Sequence, residues 1–95
     1  MKSNEVKELA RKQIDIMKKI FSSSKANTSK KAYRELYELA NTYLSDSEYF
    51  FKKGDYVRAF ESVVISWAYF DSLLHLGKLK IDKKYMKYFT VEETV

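Results

Sequence analysis

Apolar residues return at every third or fourth position through three stretches of this chain. Residues three and four apart stack above one another on an α-helix, so each stretch reads as a helix with one apolar face. In the first, near residues 4–22, Val6, Leu9, Ala10, Ile14, Ile16, Met17, Ile20 and Phe21 share that face. Glu8 and Asp15 lie opposite, with Lys7, Arg11 and Lys18 on one flank and Lys12 and Lys19 on the other. In the second, near residues 29–53, Leu36, Ala40, Tyr43, Ser47 and Phe50 fall at spacings of 4, 3, 4 and 3. Ala32, Tyr33, Leu39, Leu44 and Phe51 widen this stripe. The third, near residues 56–76, repeats the spacing with Phe60, Val64, Trp67, Asp71 and Leu74, flanked by Val57, Val63 and Phe70.

Between these stretches the punctuation is sparse. Ser22–Lys30 holds one Ala and no large apolar residue, so it reads as a connection. Lys52 and Lys53 suit a helix C-terminus, Gly54 a left-handed cap, and Asp55 the N-cap of the helix that follows. Gly77 closes the third helix by the same logic. Two matched seams joined by a short turn make an antiparallel helical hairpin. Reflection of the chain about Gly54 places Tyr43 near Trp67, and Tyr37 or Glu38 near Asp71. The prediction is an all-α fold, a single helical domain over residues 1–95. It is an antiparallel three-helix bundle, a long hairpin plus the N-terminal helix, with the segment 78–95 packed on it.

Composition narrows the function more than the fold. At 95 residues there is room for one domain. Two Gly and no Pro are too few turn-makers for a small all-β fold. The absence of Cys excludes disulfide scaffolds, cysteine zinc sites and thiol catalysis. No apolar run exceeds four or five residues, and the N-terminus lacks the apolar core of a signal peptide. A cytoplasmic protein without a membrane span is expected. The net charge of +5 is concentrated at the two ends, with residues 1–31 and 78–95 basic and the middle acidic. That distribution raises nucleic acid as a partner. Against it, fifteen of the eighteen cations are Lys, whereas bidentate recognition of phosphate or guanine favours Arg. In the first helix an acidic ridge between basic flanks suits a solvated face.

Few residues suggest chemistry. Asp71 occupies the centre of an apolar arc where Leu or Ala would be expected. A buried carboxylate needs a hydrogen bond, a cation or a proton. The structural reading is a pin of helix register, accepting from a hydroxyl such as that of Tyr37 or from a cation of the first helix. The functional reading is a carboxylate of raised pKa facing a small pocket formed with Tyr37, Tyr43, Trp67 and Asp46. Helix bundles bind metals through Glu-x-x-His pairs; none occurs here, and His75 is the single His. No phosphate-cradling Gly loop or nucleophile elbow is present. Neither metal, cofactor nor catalytic group is therefore expected. The segment Lys78–Phe89 interleaves Lys with Leu79, Ile81, Tyr85, Met86, Tyr88 and Phe89. It reads either as a platform for single strands or as a cover laid on the bundle.

The block Tyr43–Gly77 resembles the core of a small archaeal family known as domain of unknown function 357. The likeness rests on Tyr43, Asp46, Phe50, Gly54, Asp55, Tyr56, Ala59, Phe60, Trp67, Asp71 and Gly77. Ser47 and Ser72 stand where that family usually has Ala. The resemblance implies an all-α domain in an archaeal cytoplasm. It also implies an accessory role, because some members sit beside a nucleotidyltransferase domain. It brings no catalytic residue.

The third helix is apolar almost all round. Besides its seam, Ile65, Tyr69, Leu73 and Leu76 point to the far side. Such a helix is normally buried. Two neighbours leave part of it open, so the cover must be the folded-back C-terminal segment or the same face of a second molecule. A homodimer is expected, with Tyr85 and Phe89 contributing to its contact. The leading function is a non-catalytic interaction module, self-associating or docked on a partner enzyme. Nucleic-acid binding through the Lys-rich ends is the alternative.

Overall fold

In the computed structural model, which describes residues 3–91, three long α-helices pack against one another: α1 (Ser3–Ser23), α2 (Lys31–Lys52) and α3 (Tyr56–His75). Residues 1–2 and 92–95, the ends of the expected domain and of its C-terminal segment, lie outside the described residues. The α2–α3 turn is set by Gly54, whose φ of +79° is a region that side chains resist. Asp55 then caps α3, its carboxylate accepting from the Arg58 N–H at 3.1 Å. Gly77, at φ +70°, ends α3 with two backbone bonds, Gly77 N–H to Leu74 and Lys78 N–H to Leu73.

Contacts along the helices fix their directions. Phe21 meets Phe70, and the Lys7 ammonium lies over the Tyr56 ring, so α1 runs parallel to α3. Along α2, Tyr37 meets Phe21, Tyr43 meets Tyr69 and Phe51 meets Tyr56, so α2 runs antiparallel to both. The chain must therefore reverse between α1 and α2. It does so through residues 24–30, which include a strand the polar composition concealed. This strand, β1 (Lys25–Ala26), pairs antiparallel with β2 (Leu79–Lys80), just beyond α3. Two residues are too short for any pattern to register. α2 starts two residues later than the periodicity suggests. The Asn27 side chain accepts from the Ser29 N–H at 2.9 Å, holding that residue in a local turn instead. No α-helix among the described residues is long and apolar enough to cross a membrane.

The core is built from Ala10, Ile14, Met17 and Ile20 of α1, Ala40 and Leu44 of α2, and Ala59, Val63, Phe70, Leu73 and Leu74 of α3. Many of the buried side chains of α2 and α3 are small: Ala40 and Ser47 beside Leu44 on one helix, Ala59, Ser62 and Ser66 on the other. Ser66 Oγ donates to the Ala40 carbonyl at 2.6 Å, a direct bond between helices. This seam rotates α3 by about a quarter turn from the phase that its large residues suggest, one residue step being about 100°. Val57 and Val64 are consequently exposed, at 58% and 43%. Helices approach closely only where side chains are small, and a pattern weighted by large apolar residues misses that choice.

Two stability measurements test this packing. Ser66→Ala loses one hydrogen bond and should cost about 1 kcal/mol in urea denaturation. Ser66→Leu adds bulk to the seam and should cost about 1–3 kcal/mol. The reverse order would mean that the helices are not close-packed there. Gln13 Oε1 is buried with no hydrogen-bond partner among the described residues. Gln13→Met should therefore leave stability unchanged or raise it by about 1 kcal/mol, read as the denaturation midpoint.

Candidate interaction surface

Residues two apart on a helix point about 200° apart, to opposite sides. Trp67 therefore faces away from both Ile65 and Tyr69. The two sides of α3 meet different fates.

On the Trp67 side the C-terminal segment folds back as a strap. A 3₁₀ helix (Lys83–Tyr88) is capped by Asp82, which accepts from the Lys84 N–H at 3.2 Å. The Asp82 N–H in turn donates to Ser23 Oγ at 3.2 Å, tying the strap to the end of α1. The Trp67 indole N–H donates to the Tyr88 carbonyl at 2.9 Å, and its ring meets Tyr88 and Phe89 edge-on. Asp71 then holds Thr90 by two bonds, from its N–H at 2.9 Å and from its hydroxyl at 2.5 Å. His75 Nε2 lies 2.7 Å from the same hydroxyl. Asp71 is thus a satisfied carboxylate at the edge of the core, not the centre of a buried arc. Its side chain keeps 24% of its accessible area.

Several expected placements need correction. Tyr37 does not reach Asp71: its hydroxyl bonds Ser24 Oγ at 2.6 Å, and its ring stacks on Phe70 at 5.7 Å. Tyr43 meets Tyr69, centroids 5.9 Å apart, rather than Trp67, because α3 is rotated. Asp46 is exposed, so Asp71, Tyr37, Tyr43, Trp67 and Asp46 do not converge on one pocket. Leu73 is fully buried and is core, not surface. Tyr85 and Phe89 pack against the bundle as part of the strap, on the side of α3 away from Ile65. Thr90, the partner of Asp71, carries no periodic signal that could have singled it out.

Among the described residues no strap lies on the other side of α3. Ile65 and Leu76 are 39% and 55% exposed, and Leu39 of α2 is 39% exposed. Tyr43 and Tyr69, half-buried and stacked, bridge the two helices on that face. The result is an apolar strip crossing both helices of the hairpin. Concavities elsewhere measure about 150 Å³ between α1 and α2, under the Lys18–Glu48 pair, about 200 Å³ between α1 and α3 beside Val57 and Phe60, and about 380 Å³ on the outer face of α1 between Glu8, Lys12 and Lys19. The first two fall below the roughly 300–1,000 Å³ of common ligand sites, and the third is an open hollow lined by side chains of α1 alone. Among the described residues no three acidic or His side chains gather as a metal site.

Helices, ribbon and strap together define a small three-helix bundle with one open apolar face. The chain belongs to the DUF357 family, described as "Protein of unknown function", whose family model matches residues 6–79. No curated protein and no solved structure matches it. The family match takes in the α-helical hairpin and ends at Leu79, before the strap begins.

Asp71→Ala should destabilise the fold by about 1–3 kcal/mol through the unpaired groups of Thr90, and Asn should cost less. A double-mutant cycle with Thr90→Val should show a coupling of about 0.5–3 kcal/mol. Additive losses would mean that the strap is not held at this point.

Proposed function

We propose that this protein is a non-catalytic helical interaction module that self-associates through the open face of α2 and α3. One observation carries the reading. Leu39, Tyr43, Ile65, Tyr69 and Leu76 leave an uncovered apolar strip, although the chain's own covering segment lies on the opposite side of α3. Contiguous apolar surface of this kind marks protein contacts.

A second copy of the same chain is the occupant. A helix-pair face meets its own copy naturally across a two-fold axis, where each patch serves both roles. A standard interface needs roughly 800 Å² from each partner. The strip runs about 17 Å along α3, from Ile65 to Leu76, so it forms the apolar centre of such an interface and the polar residues around it supply the rest of the area. The stacked tyrosines at its centre are a residue type enriched in interface cores. Tyr85 and Phe89 take no part in this contact.

The resemblance to family members that sit beside a nucleotidyltransferase domain supports an accessory role for such a dimer. A cytoplasmic setting in an archaeal cell goes with the same reading.

Light scattering should give a mass near twice 11.3 kDa. Ile65→Lys with Leu76→Lys, both at exposed positions, should halve that mass while leaving the circular dichroism spectrum unchanged. A wild-type chain that remains a monomer at high concentration overturns self-association.

A further inference from the structure

The two-stranded ribbon pairs Lys25 with Lys80 and Ala26 with Leu79. Opposed residues of an antiparallel pair share a face, and successive residues alternate faces. Leu79 turns into the core at 5% exposure, with Ala26 packed beside it. Lys25 and Lys80 both turn to solvent. Directly opposed side chains have Cβ atoms about 5 Å apart, so like charges there repel and weaken the ribbon. Among the described residues neither lysine has a carboxylate within ion-pairing distance.

The charge continues around this end of the bundle. Residues 24–35 and 77–91 hold nine basic side chains against two acidic ones, Glu35 and Asp82. Both carboxylates are engaged, Glu35 with Lys31 at 3.6 Å and Asp82 with the Lys84 N–H at 3.2 Å. A concavity of about 260 Å³ opens on the ribbon, with Lys25, Asn27, Lys78 and Lys80 in its wall. Half-buried tyrosines stand beside these lysines. Lys78 Nζ lies 5.2 Å from the Tyr33 ring centre, and Lys84 Nζ 5.2 Å from that of Tyr85.

The basic residues of α1 offer a contrast. Arg11 hydrogen-bonds Glu8 and holds that carboxyl below its ordinary pKa, while Lys18 pairs with Glu48 at 3.4 Å. Asp15 interrupts the same surface. Arg11 and Lys18 thus have counter-charges, and among the described residues Lys25 and Lys80 of the ribbon have none within ion-pairing distance.

We propose that the ribbon end is a binding site for single-stranded nucleic acid. Phosphates neutralise the opposed Lys25 and Lys80, with Lys78 as a third contact, and bases stack on Tyr33 and Tyr85. Lys acts on phosphate as a point charge and reads no base edge, so the site is tolerant of sequence. Aromatic rings beside a basic track are how single strands are held without sequence preference. A duplex gains nothing from the rings, because its bases are already stacked. The site is independent of self-association, which uses the apolar strip of α2 and α3.

Fluorescence polarisation with labelled oligo-uridylate and oligo-thymidylate of roughly 12 nucleotides, a length within the usual range of single-strand sites, tests this. With three or four phosphates engaged, affinity should fall roughly 20–50-fold between about 50 and 200 mM salt. Lys25→Glu with Lys80→Glu should weaken binding at least tenfold and flatten the salt dependence. Lys12→Glu with Lys19→Glu, the same charge change on α1, should weaken it less than threefold. A preference between the two oligonucleotides would identify the strand and support the site. Absence of saturable binding at low salt overturns the proposal, as do equal losses in the two double variants. Tighter binding to duplex, or binding only to vesicles containing phosphatidylserine, overturns it in favour of another polyanion. Circular dichroism verifies that each variant is folded.

Discussion

Everything in this molecule is hung on the close approach of α2 and α3. Ala40, Ser47, Ala59, Ser62 and Ser66 are what allow it, and the Ser66 hydroxyl on the Ala40 carbonyl links the backbone of one helix to a side chain of the other. With small residues at the contact, the bulky ones are displaced to either side. Phe70 is turned toward Phe21 and Tyr37, where α1 docks. Trp67 is turned toward the strap, and Tyr69 toward the open strip. The rotation of a single helix thus decides which aromatic residues form core, cover and surface.

That rotation explains how far the sequence could be read. Three helices and their turns were legible, because long 3.6-residue periods and a Gly-Asp boundary are strong local signals. The angular setting of α3 was not. Phe60, Val64 and Trp67 outweigh Ala59, Ser62 and Ser66 in any hydrophobic pattern, yet the smaller set forms the seam. Asp71 followed from the same error: it looked central and sits at the edge. Its partner Thr90 lies nineteen residues further on in a segment without period. The ribbon was beyond reach for another reason. Its strands are two residues each, and only tertiary structure brings them together.

The apolar strip and the basic end use different physics and occupy different ground. In the proposed dimer, burial of the strip would be driven by removal of apolar area from water, a force that salt does not screen. The lysines of the ribbon act through charge that salt screens over about 8–10 Å. A two-fold pair of chains would carry two such basic ends. If both reach one strand, the second contact becomes intramolecular, and the pair holds a long strand more tightly than a short one.

The ribbon also bears on the order in which this chain acquires structure. α2 and α3 are neighbours in sequence joined by a three-residue step, so their contacts close short loops and can form early. Lys25 and Lys80 are more than fifty residues apart and meet only when both ends of the hairpin are in place. During synthesis the helical hairpin can be complete while Lys80 is still within the ribosome. The juxtaposed lysines are therefore a late product of folding, present only once the segment beyond α3 has paired with the one before α2.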